Sequence, residues 1–271
     1  MTMPLFSTGE DPGANFAELL RRVGLDDDVP GTLGAQNGSR SELLHDLGVP
    51  HATTCVALNY GEGVVMAGDR RATSGNLISH RTMEKVVEAD RYSGVAIAGA
   101  AGTAMDMIRL FQLQLEHYEK VEGSALSLEG KANLLSTMVR GNLPAAMMGM
   151  VVVPIFAGYD LRRRCGRLWD YDATGGRYEE RDFVTTGSGS MQAGTVVKVG
   201  FRGDLTKDEA VDLAARALWE AADADSATGG PDALRGIYPV VATIDADGWS
   251  RLGDDDLAAR YEAIVNEVRS R

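Results

Sequence analysis

Two adjacent threonines, Thr53 and Thr54, stand at the head of an apolar run, Cys55-Val56-Ala57-Leu58. Behind them come Gly68-Asp69-Arg70-Arg71-Ala72-Thr73 and then Lys85. A threonine hydroxyl is a weak nucleophile by itself. At a chain terminus the free amine beside it can accept its proton, and the hydroxyl becomes reactive. Thr53 is internal as written, so that chemistry requires the removal of residues 1–52.

The sequence on either side of Thr53 differs in texture. Residues 1–52 are rich in Gly, Pro, Asp and Ser, and carry eight acidic and three basic side chains. Ala17 to Val23 could form a short helix, which Asp26-Asp27-Asp28-Val29-Pro30-Gly31 would end. Such a composition fits a propeptide or a plain disordered tail. The abrupt change at Thr53 favours the propeptide, and gives a division into a leader, 1–52, removed on maturation, and a catalytic domain, 53–271.

From Thr53 onward the chain reads as structured. Thr53–Leu58 is a strand, Asn59-Tyr60-Gly61-Glu62-Gly63 a turn, and Val64–Ala67 the returning strand. Thr82–Val87, which contains Lys85, and Val95–Ala98 are further strands. Ala104, Ile108, Phe111, Leu115 and Tyr118 form a core-facing helical stripe. Leu128, Ala132, Leu135, Met138 and Val139 form a second, with Ser127 as its N-cap. Val151–Tyr159, Arg167–Asp172 and Asp182–Thr186 read as strands. Gly187-Ser188-Gly189-Ser190 opens a helix with Ala193, Val196 and Val197 inward. Thr206-Lys207-Asp208-Glu209 is a capping box before another helix. Pro239–Asp245 is a late strand. Leu257, Tyr261, Ile264, Val265 and Val268 mark a C-terminal amphipathic helix. Strands and helices do not alternate one for one, so the pattern is α+β: sheets packed together, with helices gathered on the outer faces.

Composition narrows the function classes. The 271 residues have a formal net charge of −12, and residues 53–271, with 31 acidic and 24 basic side chains, keep −7. That balance argues against a general grip on nucleic acid, which needs a basic surface. The longest strongly apolar run, Met147 to Ala157, is too short for a membrane span and contains Gly149 and Pro154. The N-terminus lacks the basic-then-apolar order of a secretory signal. Two cysteines, Cys55 and Cys165, make neither a disulfide framework nor a zinc pattern, so no metal or cofactor is expected and a reducing cytoplasm is the natural compartment. Cys55 reads as a buried small hydrophobe. Cys165, among Arg162, Arg163, Arg164 and Arg167, reads as an exposed loop cysteine, since no partner base is recognisable nearby.

Thr-Thr at a strand start, Gly-Asp-Arg-Arg-Ala-Thr, one Lys, Ala98-Gly99-Ala100-Ala101 and Gly187-Ser188-Gly189-Ser190 follow one another in the order of proteasome β subunits, which residues 53–271 therefore resemble. Met138-Val139-Arg140-Gly141-Asn142-Leu143 and Asp225-Ser226-Ala227-Thr228-Gly229-Gly230-Pro231-Asp232 resemble the actinobacterial form. Each motif alone is weak, and the ordered set is strong. The resemblance implies a four-layer αββα sandwich of the N-terminal-nucleophile hydrolase type. It implies a threonine endopeptidase in the inner rings of a proteasome core.

The resemblance also distributes roles, each beside a plainer reading. Thr53 would be the nucleophile, freed by cleavage between Ala52 and Thr53; otherwise it is one more β-branched strand residue. Lys85 would lower the proton affinity of the site, and Asp69 would hold Lys85. A lone lysine is usually a solvated charge, and an aspartate at a strand end usually belongs to a turn. Gly99 would offer its N–H to an oxyanion, or simply permit a strand-to-helix turn. Ser188 and Asp225 would complete a network around the Thr53 amine. The run Asp223-Ala224-Asp225 allows two registers, and Thr228-Gly229-Gly230 favours Asp225. Thr73 and Ala101 would align substrate as an added strand. Ala72, Met83, Val87, Ile97, Ala101 and Met105 would wall an apolar specificity pocket. Implied partners are α-subunit rings around paired homo-heptameric β rings, twenty-eight subunits in all. A ring-shaped ATPase unfoldase and unfolded or tagged protein substrates complete the set.

Two residues depart from the family pattern: Ala52 where Gly is usual before the cleaved bond, and Cys55 where a larger aliphatic residue is common. Three rivals fit less well. A smaller two-ring bacterial threonine peptidase lacks so long a leader. Other N-terminal-nucleophile amidases commonly begin with Cys or Ser. A non-catalytic ring scaffold has no need of Thr53, Asp69 and Lys85 together. A Ser-His-Asp hydrolase is a poor fit too, because Gly187–Ser190 is not a nucleophile elbow and no His follows in triad order.

Overall fold

Period-2 alternation along the first strand serves two cores at once. In β1 (Thr54–Tyr60) the side chains of Val56 and Leu58 point to one side and those of Cys55 and Ala57 to the other, and all four are fully buried. A strand buried on both faces has no place for polar alternation, which is why this segment is a continuous apolar run. The computed structural model describes residues 53–74 and 77–270. The leader expected over residues 1–52 lies outside the described residues.

β1 is the second strand of a five-stranded antiparallel sheet. Its order is β10 (Phe183–Gly187), β1, β2 (Gly63–Gly68), β11 (Val240–Asp245) and β12 (Gly248–Arg251). A second antiparallel sheet runs in chain order: β5 (Val86–Asp90), β6 (Ser93–Gly99), β7 (Val152–Asp160), β8 (Cys165–Tyr171) and β9 (Arg177–Glu180). The sheets meet face to face through Cys55, Ala57, Met66, Ala96, Ile155, Ala157, Leu168 and Ile244. On the outer face of the first sheet, Val56, Leu58, Val65 and Val241 pack on α4 (Ser190–Gly200), α5 (Lys207–Ala224) and α6 (Asp254–Arg269). On the outer face of the second, Val95, Ile97, Phe156 and Trp169 pack on α1 (Ala101–Glu122) and α2 (Leu128–Gly141). The layers are therefore αββα, as expected. A short helix, α3 (Leu143–Met147), follows α2, and β3 (Ala72–Ser74) pairs with β4 (Leu77–His80) in a separate two-stranded sheet.

Local signals set most of the boundaries. Ser127 accepts from the Gly130 N–H at the start of α2, and the Thr206–Glu209 box closes reciprocally at the start of α5. Each such cap contributes about 1 kcal/mol.

Several expectations need correction. The strand expected over Thr82–Val87 begins only at Val86. Thr82 to Lys85 lies outside the strand; Met83 donates its N–H to Arg70 O, and the Lys85 side chain turns inward to a carboxylate. The first turn is only Gly61-Glu62, because Asn59 and Tyr60 still pair with Val64 and Gly63. Tyr118 and Val268, assigned to core stripes, are 38% and 41% exposed, because each lies near its helix's C-terminal end, past the last buried stripe residue, Leu115 in α1 and Ile264 in α6. The short strands β3, β4, β9 and β12 carry no sequence expectation.

Candidate active site

Thr53 lies at the mouth between the two sheets, immediately before β1, and is 5% exposed. Its carbonyl oxygen accepts the Ser188 N–H at 2.8 Å. That contact depends on Gly187, the last residue of β10: its φ is +100°, and a Cβ there would stand 1.9 Å from the Thr53 oxygen. Only glycine permits so close an approach in that conformation. A cavity of about 230 Å3 opens beside Thr53, lined by Ala98, Gly99, Val153, Thr186, Gly187 and Ser188. Gly99 ends β6 with φ +110°, and the chain turns directly into α1. α1 has no acidic residue in its first turn, so the positive end of its dipole is uncompensated near Gly99.

Below Thr53 lies an ion pair sealed from water. Lys85 is 1% exposed and Asp69 is fully buried; Lys85 Nζ donates to Asp69 Oδ1 at 2.7 Å and to Arg71 O at 2.5 Å. Asp69 accepts three backbone N–H groups as well: Thr54 on Oδ1, and Arg71 and Gly229 on Oδ2, all at 2.9 Å. Four donors fill both carboxylate oxygens, the arrangement a buried carboxylate needs. Neither residue is the solvated surface charge or simple turn residue that its type alone suggests.

Above Thr53 lies a second carboxylate of a different kind. Asp225, the residue after α5, is half-buried. Its Oδ2 accepts from Ser188 Oγ at 2.5 Å and from Thr228 Oγ1 at 2.6 Å, and its Oδ1 accepts the Ala227 N–H at 3.1 Å. Burial works to raise its pKa. The hydrogen bonds from Ser188, Thr228 and Ala227, and the charge of Lys85, outweigh it and hold the carboxyl below the usual range. Asp223, the competing register, is exposed on the last turn of α5, whereas Asp225 meets Ser188. Ser188 is thus joined to a carboxylate, and both described histidines, His80 and His117, are exposed.

The chain matches the family model described as proteasome subunit over residues 49–234. A protein named proteasome subunit beta from Acidimicrobium ferrooxidans is 52% identical over 278 aligned positions, covering 100% of this chain and 97% of its own. One of the same name from Streptomyces griseus is 54% identical over 229, covering 84% of this chain and 82% of its own. The chain belongs to the proteasome subunit family. Its two stacked sheets between helical layers are that family's N-terminal-nucleophile hydrolase fold.

Within this proteasome-family fold, the expected substrate-contacting residues are distributed unevenly. Val87, Ile97 and Met105 pack in one apolar cluster between the second sheet and α1. Ala72, Met83 and Ala101 lie outside that cluster: Ala72 is buried in β3, Met83 is half-buried before β5, and Ala101 is the first residue of α1. Thr73 sits in β3 opposite Ile78. The cavity at Thr53 includes Gly99 but none of the six expected wall residues.

The long-range pairings within the site carry no local signal. Gly229 supplies an N–H to Asp69 from 160 positions away, and Thr54 meets Thr228 across 174. Such pairs are fixed by topology, not by local spacing. Cys55, in β1, is fully buried between the sheets. Burial pushes its thiol up to about 12, against the opposing charge of Lys85. Cys165 opens β8 and is exposed. Among the described residues no helix is long and apolar enough to cross a membrane.

Proposed function

We propose that this chain is the proteolytic β-type subunit of a proteasome core, a threonine endopeptidase whose nucleophile is Thr53 Oγ1. The observation that carries the reading is the buried Lys85–Asp69 pair tied to the first strand through the Thr54 N–H. A sealed cation one residue from a threonine has a use in chemistry that it lacks in packing, since burying the pair costs desolvation.

Residues 1–52 act as a leader. The Thr53 hydroxyl attacks the Ala52 carbonyl carbon, the acyl group passes from nitrogen to oxygen, and water hydrolyses the ester. The freed amine then serves as general base. It takes the proton of Oγ1 as that oxygen attacks a substrate carbonyl, and returns it to the leaving amine. The positive charge of Lys85 favours the neutral amine. The developing oxyanion lies at the Gly99 N–H, by the positive end of α1. Water then hydrolyses the threonyl ester. Ser188 and Asp225 orient the amine, and Thr73 and Ala101 align the substrate as an added strand. Val87, Ile97 and Met105, with Ala72, Met83 and Ala101, favour apolar side chains before the cleaved bond.

The reading extends to assembly: paired rings of seven β subunits, flanked by α rings and fed with unfolded protein by a ring ATPase in the cytoplasm. Support comes from exposed apolar side chains on both outer layers, Leu110, Leu113 and Val121 on α1, and Met191 and Val199 on α4. Enclosure keeps a broadly acting peptidase from folded proteins.

Coexpression of Thr53→Ala with an α chain tests the reading. The variant is expected to retain residues 1–52 by intact mass and to lose peptidase activity. Normal cleavage at Ala52 in that variant, with no added protease, would refute it.

A further inference from the structure

Thr54 has no catalytic role in that reading, yet its hydroxyl meets both turns that the amine network uses. Thr54 is fully buried. The Gly189 N–H donates to Thr54 Oγ1 at 3.0 Å, and Thr54 Oγ1 lies 2.5 Å from Thr228 Oγ1. Each hydroxyl owns one hydrogen. Asp225, an ionised carboxylate, can only accept, so the Thr228 hydrogen goes to it. Thr54 therefore donates to Thr228 and accepts from Gly189. The hydrogens run one way, from Gly189 through Thr54 and Thr228 to Asp225. Ser188 Oγ lies 2.5 Å from the same carboxylate oxygen and 3.3 Å from Thr53 O; its one hydrogen goes to the nearer, charged acceptor, which leaves its lone pairs open toward the rest of the site. The chain has no slack: a Cβ on Gly189 would stand 2.5 Å from Thr54 Oγ1 and 2.9 Å from Thr228 Oγ1.

The backbone of the same residue faces the other network, donating its N–H to Asp69 and accepting the Asp69 N–H on its carbonyl at 3.1 Å. Thr54 thus touches the ionic framework with its main chain and the hydroxyl chain with its side chain. A methyl in place of the hydroxyl would fill the same volume. It would leave the Gly189 N–H without its acceptor and Thr228 without its donor, among residues that are themselves buried.

We propose that Thr54 is a positioning residue of the peptidase, whose hydroxyl fastens the Ser188 turn and the Asp225 turn to the first strand and so holds the amine network in register. The inference rests on the threonine-peptidase reading of Thr53.

The test compares parent, Thr53→Ala, Thr54→Val and Thr54→Ser chains, each coexpressed with the α chain. Particles are purified by size, processing is checked by intact mass, and fluorogenic peptide hydrolysis is followed from acid to alkaline pH. Thr54→Val is expected to lower kcat about tenfold, the kinetic equivalent of one lost buried hydrogen bond, with KM little changed. Its acid limb should move to higher pH, because the Thr228 hydroxyl, no longer polarised by Thr54, donates less strongly to Asp225 and leaves more negative charge beside the amine. Thr54→Ser should restore both.

A processed Thr54→Val particle with parental kcat and acid limb, or one altered in KM alone, overturns the inference while an inactive Thr53→Ala leaves the nucleophile reading intact. Activity surviving in Thr53→Ala, or absent from the parent particle, overturns that reading instead. If Thr54→Val does not assemble, Thr54→Cys, which keeps a small side chain but bonds poorly, is read against the same outcomes.

Discussion

Two carboxylates flank Thr53, and they are satisfied by opposite means. Asp69 is fully buried and filled by one cation and three backbone N–H groups, none of which can rotate away. Asp225 is half-buried and held mainly by two hydroxyls, which turn about a single bond. The first is a framework: its charge is fixed and its geometry belongs to the fold. The second is held by side chains, whose hydroxyl hydrogens turn to Asp225 because the carboxylate can only accept. Stability and turnover should therefore separate when each is cut.

The largest effect is expected at the framework. Lys85→Met leaves the Asp69 carboxylate buried beside three N–H donors but without its cation. Removing one partner of a buried pair costs about 3–5 kcal/mol. The thermal midpoint of the assembled particle should drop sharply, and peptide hydrolysis should fall at least about a hundredfold. A particle as stable as the parent would show that the pair is not sealed as described.

A smaller and different effect is expected at the hydroxyl set. Asp225→Asn keeps the shape and removes the charge at a half-buried site, so unfolding should change by roughly 1 kcal/mol or less. Turnover should fall about tenfold to a hundredfold, within the range of one positioned proton-handling group. The pH dependence carries a sign. The folded-state pKa of Asp225 is lowered, so its contribution is present above the ordinary carboxylate value of 3.8 and is lost as pH falls through the depressed value. Thermal scans toward acid should therefore decline less steeply for Asp225→Asn than for the parent. Equal losses of stability in Asp225→Asn and Lys85→Met would erase the contrast between the two regions.

The smallest effect concerns the floor of the framework. Cys55 Sγ donates to Ile97 O at 3.6 Å beside the Lys85 backbone, and its thiol is raised from 9.0 to about 12 by burial. In the folded particle iodoacetamide near pH 8 should label Cys165 alone, and both cysteines only after denaturation. Between about pH 9 and 12 the unfolded chain loses the Cys55 proton and the folded chain keeps it, so stability should fall with rising pH across that window. Labelling of Cys55 in the folded state would mean that water reaches the Lys85 side of the site.

Legibility in the sequence followed the same division. Thr53, Asp69, Ser188 and Asp225 could be singled out because each sits in a short motif, and Lys85 because it falls in its place in the order of those motifs. The sandwich could be read because long apolar strands and helical stripes keep their periods. Thr54 was legible only as half of the Thr-Thr pair; the partners of its hydroxyl were not, since they are 135 and 174 positions away and no local pattern announces them. The expected strand begins too early because Thr82-Met83-Glu84 alternates like a strand before Lys85 interrupts the pattern. Its polar members are drawn instead to Asp69 and, through Glu84, to Arg251 at 2.7 Å. The expected pocket walls are the least connected part: their six residues come from four elements, β3, β5 with the run into it, β6 and α1, and only Val87, Ile97 and Met105 share a cluster.

The double burial of β1 has a consequence for the placing of Thr53, the residue just before it. Sliding the strand by one residue would send Val56 and Leu58 into the space between the sheets and Cys55 and Ala57 out against the helices, so both cores would misfit together. The strand is thus indexed like a toothed rack between two pinions. Position along it is metered in whole residues, and the hydroxyl of Thr53 is delivered to its place by the cores behind it. On the proposed cleavage before Thr53, a terminus, elsewhere the loosest part of a protein, would become one of its best-measured points.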